Sequence, residues 1–206
     1  MVKTKIAVFV SGGGTNLQAL IDAQTAGRLP SGEIVLVLSS APDAYALERA
    51  KQAGIPRVVV ARKAYATQSE FEAEICRHLK QNGIELIVLA GFMTILSAAF
   101  TRQYEKRIIN VHPSLIPSFC GKGFYGLRVH EAALQYGVKV TGATVHYVNE
   151  VPDGGQILLQ KAVLVEEGDT PERLQRRVME QAEWILLPQA AELVSRQLAE
   201  GKGETE

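Results

Sequence analysis

An amide, an imidazole and a carboxylate stand in the second half of the sequence at positions where they can meet. Asn110 and His112 lie two residues apart at the end of the apolar run 108–111, so a strand would place both side chains on one face. Asp153 follows in the sequence Pro-Asp-Gly-Gly, a turn whose glycines let the backbone approach a ligand closely. These three groups could stabilise an oxyanion and move a proton.

Each of the three residues also has a purely structural interpretation. A single Asn or His at a strand end is more often a hydrogen-bonded structural group, and Asp-Gly-Gly forms good turns without any further role. Among the other histidines, His78 is expected at a helix surface, His130 in a structural position on another helix, and His146 in a strand with an ambiguous role. The four histidines have neither i, i+4 spacing nor adjacent thiolates, so no metal site is predicted.

A second candidate site is the glycine-rich stretch 11–17, Ser-Gly-Gly-Gly-Thr-Asn-Leu, between the first predicted strand and the first predicted helix. Backbone N–H groups of such a loop, together with the helix N-terminus, can hold a phosphate. The stretch lacks the Gly-Lys-Ser/Thr ending of ATP-binding loops, and Leu17 replaces the third glycine of the dinucleotide fingerprint, so ATP and NAD are disfavoured. The alternative, a tight turn that only needs small residues, stays open.

Composition and charge favour a small substrate. The chain has 206 residues, of which 47% are hydrophobic and 21% charged, as in one ordinary globular domain. Twenty-two basic residues balance 22 acidic ones, so no overall positive field attracts nucleic acid or an anionic membrane. Cys76 and Cys120 are predicted to be free thiols. The apolar run 6–10 is too short for a signal peptide, so a cytoplasmic location is expected.

Apolar runs of strand length alternate with helical patterns in the first hundred residues, which predicts an α/β fold with a doubly wound start. The unbroken run 84–90 is typical of a strand buried on both faces. Ser69 with Glu72 predicts a helix capping box. The predicted strand and helix pairs are 5–10 with 16–26, 33–39 with 43–53, 57–60 with 69–82, and 85–90 with 97–103, with glycines 27, 54 and 83 ending three of the helices.

The second half departs from this repeat. A strand over 107–111 leads into a Pro- and Gly-rich loop over 113–126, and loops of this length are usually functional. A long helix is expected to be kinked or broken at Pro188. The predicted elements are a helix over 129–136, two strands over 139–147 and 156–165 that could pair around the turn 149–155, a helix over 170–200 and a flexible tail over 201–206.

Four motifs in this order together resemble the phosphoribosylglycinamide formyltransferases, a family of folate-dependent enzymes of purine synthesis. The motifs are SGGGTNL at 11–17, AGFMTIL at 90–96, NVHPSLIPSF at 110–119, and GATVHYV at 142–148 continuing to DGG at 153–155. The resemblance implies the formyltransferase fold, a doubly wound and mostly parallel sheet with helices on both faces and a mixed C-terminal part. It implies one domain over 1–200, with a phosphate-binding half over 1–100 and a catalytic, folate-binding half over 101–200.

The resemblance also assigns residues to two small-molecule substrates, to be used by a monomer or homodimer without a metal. Glycinamide ribonucleotide would be held by Gly13, Gly14, Thr15, Asn16 and Glu183. The co-substrate 10-formyltetrahydrofolate would contact Phe92, Met93, Thr94, Ile95, Leu96, Val148, Asn149, Glu150, Val151 and Pro152. Four residues depart from the family pattern and bear on affinity: Thr94 and Glu180, where arginine and glutamine are common, and Trp184 and Arg128, where histidine occurs.

The implied reaction is direct formyl transfer through a tetrahedral intermediate. Asn110 and protonated His112 would donate to the oxyanion, and Asp153 would stabilise the imidazolium and relay a proton. Ser114 and Cys120 lack a base and an orienting group, so a covalent route is not expected.

Three rival functions remain to be separated from this one. Methionyl-tRNA formyltransferase shares the Asn/His/Asp pattern but carries a further C-terminal domain, for which we expect no room here. Formyltetrahydrofolate hydrolase usually carries an N-terminal regulatory domain, which is also not expected here. A nonenzymatic ribonucleotide-binding module would need only the glycine loop.

Overall fold

A seven-stranded sheet forms the centre of the computed structural model, which describes residues 2–203. The strands lie in the order β3-β2-β1-β4-β5-β6-β7. The first five in this order are parallel to one another, whereas β6 pairs antiparallel with both β5 and β7. The mostly parallel sheet with a mixed C-terminal part is therefore confirmed. The strands are β1 Thr4–Val10, β2 Gly32–Ser39, β3 Arg57–Val59, β4 Leu86–Leu89, β5 Ile108–His112, β6 Val140–Tyr147 and β7 Ile157–Leu164.

Helices cover both faces of this sheet. Neighbouring residues of a strand point to opposite faces, so on β1 Val8 belongs to one hydrophobic layer and Phe9 to the other. The layer around Val8 includes Leu17 and Leu187, whereas the layer around Phe9 includes Phe71. The helices are α1 Thr15–Thr25, α2 Ala46–Gln52, α3 Gln68–Gln81, α4 Ala98–Gln103, α5 Leu127–Tyr136, α6 Pro171–Val178 and α7 Trp184–Gly203. Within residues 2–203, no helix is long and apolar enough to cross a bilayer.

The predicted capping box at Ser69 and Glu72 is wrong. The N-cap of α3 is Thr67, whose extended backbone lets its side chain accept a hydrogen bond from the N–H of Glu70 at 3.2 Å. The Glu70 carboxylate accepts in return from the N–H of Thr67, which completes a capping box two residues earlier. Glu72 is buried instead, and it accepts hydrogen bonds from the backbone N–H and the hydroxyl of Ser97.

Of the predicted kink or break at Pro188, the break is wrong. Pro188 lies inside α7, and the irregular turn is a π-helical segment, Met179–Glu183, that joins α6 to α7. A proline removes the N–H donor for the carbonyl four residues before it, here that of Trp184, and the wide turn ends at the residue before Trp184. Helix α7 includes the first three residues of the expected tail, and residues 204–206 lie outside the described part.

Two smaller predictions are confirmed. Gly27, Gly54 and Gly83 follow α1, α2 and α3 and have φ angles of 70°, 70° and 62°, the left-handed conformation that ends a helix. Cys76 and Cys120 are both free thiols.

The last helix closes on the first strand. The hydroxyl of Thr4 on β1 donates to the carbonyl oxygen of Ser195 on α7 at 2.8 Å. The carboxylate of Glu192 accepts from the backbone N–H of Ser31 at 3.0 Å and from its hydroxyl at 2.7 Å, just before β2. Residues from both ends of the chain therefore form one layer.

Candidate active site

The antiparallel pairing of β5 with β6 builds the centre of the candidate site. In this register Asn110 lies opposite His146, and His112 lies opposite Thr144. The side-chain nitrogen Nδ2 of Asn110 lies 3.3 Å from Nε2 of His146. The switch from parallel to antiparallel strands thus places residues from distant parts of the sequence side by side.

Asp153 reaches this centre from the turn that follows β6. Its Oδ2 lies 3.5 Å from Nδ1 of His112, and its Oδ1 lies 3.5 Å from Nε2 of His146. Oδ2 also accepts a hydrogen bond from the backbone N–H of Gly121 at 2.8 Å. The structure therefore brings Asn110, His112 and Asp153 into one cluster.

The contacts of Asp153 keep it an anion at neutral pH. Burial on its own would raise the pKa of this carboxyl group, but the hydrogen bond with His146, the charge of His112 and the N–H of Gly121 together lower it. Asp153 also has a φ of 55°, a left-handed conformation that Asp and Asn adopt more readily than most residues. The turn thus points a fixed negative charge at two imidazole rings.

His112 is buried, and both of its ring nitrogens face hydrogen-bond acceptors. Nε2 donates to the carbonyl oxygen of Phe119 at 2.9 Å, and Nδ1 faces Asp153. The two ring nitrogens are thus directed at a backbone carbonyl and at a carboxylate. In this structure the proton on Nε2 is held by Phe119 of the loop 113–126.

His146, whose role was ambiguous from the sequence, is a further member of this cluster. It is buried, and its Nδ1 donates to the carbonyl oxygen of Tyr147 at 2.8 Å, so Nε2 is directed toward Asn110 and Asp153. A neutral His146 accepts from the Asn110 amide, and a protonated one donates to Asp153. The signal in the sequence was the strand pattern around His146, but its pairing with Asn110 required the register of two antiparallel strands.

A cavity of about 150 Å³ opens directly beside this cluster. Asn110, His146 and Asp153 form one part of its wall. Met93 and Ile95 in its wall are 57% and 76% exposed, so it offers apolar surface to a ligand. All ten residues expected to contact the folate also line it: Phe92, Met93, Thr94, Ile95, Leu96, Val148, Asn149, Glu150, Val151 and Pro152.

The glycine loop leads from β1 into α1 and is anchored through its carbonyl oxygens. The carbonyl of Gly12 accepts from the N–H of Ala46, and that of Gly13 from Nε of Arg49 at 2.8 Å. Gly14 has a φ of 73°, and a Cβ there would lie 2.6 Å from Cβ of Ala46, whereas a Cβ on Gly13 would meet nothing within 4 Å. Gly14 is therefore needed for packing, and Gly13 leaves open space beside the backbone.

Glu183 faces this loop from the π-helical turn. Its Oε2 accepts from Nδ2 of Asn16 at 2.8 Å, and the hydroxyl of Thr15 lies 3.9 Å from the sulfur of Met179 in the same turn. Burial raises the pKa of Glu183 to about 6, and the hydrogen bond from Asn16 opposes this effect. Oδ1 of Asn16 is buried and has no partner within the described residues. The pair thus offers unused acceptor capacity to a ligand that carries N–H or O–H groups.

The glycine loop and the cavity beside Asn110 are in direct contact. The hydroxyl of Ser11 accepts a hydrogen bond from the backbone N–H of Met93 at 2.9 Å and lies 2.6 Å from the hydroxyl of Ser40. These residues follow β1, β2 and β4, and ligands of open α/β sheets bind at such carboxyl edges of the strands. Two ligand sites can therefore share one border.

The remaining candidates occupy different places. Ser114 and Cys120 are bonded locally, to the carbonyl oxygens of Ser118 and Pro117. His78 is half-buried on α3 beside Glu74 rather than fully at the surface. His130 is fully buried, and burial together with the charge of His112 lowers its pKa to about 4, so it stays neutral.

The four residues that depart from the family pattern lie in different parts of the structure. Glu180 is exposed near Arg176, and Arg128 is exposed over the ring of Tyr125. Thr94 lines the cavity beside Asn110, and Trp184 lines a second one. Within residues 2–203, no three His, Cys, Asp or Glu side chains are grouped to hold a metal ion.

Comparison with known proteins shows the family. The sequence model of the formyl transferase family, described as "Formyl transferase", matches residues 4–190. The chain is 42% identical over 198 residues to phosphoribosylglycinamide formyltransferase of Haemophilus influenzae, covering 96% of this chain and 88% of that protein. It is 46% identical over 193 residues to the trifunctional purine biosynthetic protein adenosine-3 of Gallus gallus, covering 94% of this chain but only 18% of that longer protein.

A solved structure agrees with the sequence comparison. Glycinamide ribonucleotide transformylase 1 from Symbiobacterium toebii superposes with a TM-score of 0.88 at 40% sequence identity, covering 95% of this chain and 89% of that one. The family model, the sequence identity and the fold all indicate the same family, and the chain belongs to the formyl transferase family.

Proposed function

We propose that this chain transfers the formyl group from 10-formyltetrahydrofolate to the amino group of glycinamide ribonucleotide, a step of purine biosynthesis. The observation that carries this proposal is the shared border between the two sites, where Ser11 of the glycine loop accepts a hydrogen bond from Met93 of the neighbouring cavity. Direct transfer requires that donor and acceptor lie side by side. The relatives named phosphoribosylglycinamide formyltransferase support this choice of substrates.

The ribonucleotide occupies the glycine loop in this proposal. Its phosphate binds the backbone N–H groups of Gly13, Gly14, Thr15 and Asn16 at the N-terminus of α1, where the helix dipole favours an anion. Ionised Glu183 accepts hydrogen bonds from hydroxyl groups of the ligand, because Asn16 uses only part of its acceptor capacity. The amino group then points toward Asn110 and the cavity beyond it.

The folate occupies the cavity lined by residues 92–96 and 148–152. The apolar side chains Phe92, Leu96 and Val148 suit a flat ring system, and the exposed Met93 and Ile95 gain an apolar partner when the ligand binds. Asn110 and Asp153 form the wall at the end where the formyl group has to lie.

The chemistry begins when the neutral amine attacks the formyl carbon. The carbonyl oxygen gains negative charge, which is stabilised by the amide N–H of Asn110 and by His112. His112 reaches the oxyanion by exchanging the hydrogen bond that its Nε2 makes to Phe119 in this structure. Asp153 stabilises the imidazolium and, through water, passes the proton of the amine to the leaving folate nitrogen.

We also propose a cytoplasmic monomer or homodimer that needs neither nucleic acid nor a membrane partner. The balance of 22 basic and 22 acidic residues supports this, because a large polyanion would require a positive surface. The same balance disfavours aminoacyl-tRNA as the formyl acceptor.

The test is a direct assay. The protein is mixed with glycinamide ribonucleotide and 10-formyltetrahydrofolate, and mass spectrometry follows the formylated ribonucleotide while absorbance follows tetrahydrofolate. Parallel mixtures replace the ribonucleotide with methionyl-tRNA or with buffer. Folded protein that forms no formylated ribonucleotide would contradict the proposal, and formate release in buffer alone would indicate a hydrolase.

A further inference from the structure

A second cavity, of about 320 Å³, lies along the outer side of α1 and is separate from the cavity beside Asn110. Thr15, Gln18 and Asp22 of α1 form one wall, Arg28 follows the end of that helix, Arg49 comes from α2 and Trp184 from the start of α7. Ligand pockets have volumes of about 300–1,000 Å³, so this cavity has room for a small organic ligand.

The charged groups of this cavity favour an anion. Arg28 is exposed, and its guanidinium has no hydrogen-bond or ion-pair partner within residues 2–203. Arg49 uses Nε and Nη1 for Gly13 and Gln18, so its Nη2 is left for another acceptor. The carboxylate of Asp22 is partly used by the Gln18 amide, which donates to it at 2.9 Å. Two guanidinium groups thus face one carboxylate.

Trp184 adds an aromatic surface to the same cavity. It is the only tryptophan in the chain. Its Nε1 is buried and has no hydrogen-bond partner in the described part of the chain. An indole beside guanidinium groups suits a ligand that combines a flat ring with an anionic group.

We propose that this cavity binds a purine nucleoside monophosphate, with the base against Trp184 and the phosphate at Arg28 and Arg49. A mononucleotide carries a flat ring and an anion within the available volume. The choice of a purine over a pyrimidine rests on the proposed function, because purine nucleotides are the products of the synthesis that the formylated ribonucleotide feeds.

The cavity is connected to the glycine loop through its own lining residues. Arg49 donates from Nε to the carbonyl oxygen of Gly13, and Thr15 belongs to both places. Trp184 directly follows Glu183, which binds Asn16. A nucleotide that draws Arg49 or Trp184 toward itself therefore changes the affinity of the loop for the ribonucleotide, and the ribonucleotide changes nucleotide affinity by the same factor.

Fluorescence of Trp184 provides the test, because no other tryptophan contributes to the signal. AMP, IMP and GMP are titrated into the intact protein, with CMP, adenosine and inorganic phosphate as comparison ligands. Arg28→Ala removes the unpaired guanidinium, and Arg57→Ala removes an exposed arginine of β3 outside the cavity. The purine nucleotide should bind at least about tenfold more weakly to Arg28→Ala, and with unchanged affinity to Arg57→Ala.

Several results would overturn the proposal. These are no fluorescence change at millimolar purine nucleotide, equal affinity of Arg28→Ala and the unaltered protein, or equal binding of inorganic phosphate alone or of CMP. Inhibition that excess ribonucleotide removes completely would place the nucleotide in the glycine loop instead. The titration needs no turnover, so an Arg28-dependent signal supports this site even if the formyl transfer assay fails.

Discussion

Nε2 of His146 lies 3.5 Å from Oδ1 of Asp153, while the other oxygen of that carboxylate lies 3.5 Å from His112. One carboxylate therefore stands between two imidazole rings, and it also accepts a hydrogen bond from the N–H of Gly121. In the proposed reaction, His112 faces the developing charge, and His146 keeps Asn110 and Asp153 in fixed positions. This arrangement permits separate tests of charge, proton transfer and orientation.

Asp153→Asn tests the carboxylate charge. Asn tolerates the left-handed φ of 55°, and its amide oxygen can still accept from Gly121, so the turn should keep its shape. We expect the turnover number at saturating substrates to fall by at least about a hundredfold, because acid–base assistance is lost. Steady-state kinetics measure this, with the exposed Asp43→Asn as control. Turnover close to that of the unaltered enzyme would remove Asp153 from the mechanism.

His112→Ala compared with Ser114→Ala and Cys120→Ser tests direct transfer against a covalent route. We expect His112→Ala to abolish most turnover, since the imidazole that faces Asp153 is removed. Ser114 and Cys120 bind local carbonyl groups, so their variants should stay active, with about 1 kcal/mol lost from the free energy of unfolding of Ser114→Ala. A formylated enzyme detected by mass spectrometry would instead support the covalent route.

Gly13→Val and Gly14→Ala separate ligand binding from packing in the glycine loop. A side chain at position 13 enters open space beside the backbone, so ribonucleotide affinity should fall more than folate affinity, with little change in stability. A side chain at position 14 meets Ala46, so the free energy of unfolding should fall by about 1–3 kcal/mol. Calorimetric titration and chemical denaturation measure the two effects. If Gly13→Val weakened the binding of both ligands equally, the loop would be only a structural turn.

Glu183→Gln should stabilise the fold while weakening the ribonucleotide. The folded pKa of about 6 lies above the ordinary 4.5, so the contribution of this group to stability is fully present below pH 4.5 and is lost as pH rises to 6. At neutral pH the neutral amide should therefore raise the free energy of unfolding by up to roughly 2 kcal/mol. The amide can also donate to the unpartnered Oδ1 of Asn16.

Denaturation at about pH 4 and about pH 7.5 measures the stability effect of this substitution, which should appear only at the higher pH. Glu167→Gln, at an exposed position outside the glycine loop and the π-helical turn, is the matched control and should change neither quantity. Ribonucleotide binding as tight in Glu183→Gln as in the unaltered protein would contradict a role of the carboxylate in the site.

Local chemistry in the sequence predicts much of this fold. The four strand–helix pairs follow from apolar periodicity, and Gly27, Gly54 and Gly83 mark real helix ends because only a residue that tolerates positive φ fits there. The capping box lies two residues before its predicted position. Ser69 and Thr67 offer similar hydroxyl groups, and the backbone conformation decides which of them caps the helix. The π-helical turn was missed because its extra residue leaves no local signal.

Part of the candidate site follows directly from local geometry, because one strand holds two of its members. Asn110 and His112 share a strand, so their proximity follows from period-two geometry. The place of His146 depends on the register between β5 and β6, which is a tertiary property. The hydrogen bond from His112 to Phe119 depends on how a long loop folds back, and no periodic pattern describes such a loop.

The hydrogen bond from Thr4 to Ser195 has a consequence for how the protein is made. The strand β1 lies in the middle of the sheet and is synthesised well before α7, which covers it. Nascent chains therefore expose the apolar surface of β1 until α7 has been synthesised. Such chains are expected to depend on chaperones during synthesis, and truncation before α7 should yield aggregates rather than a smaller folded enzyme.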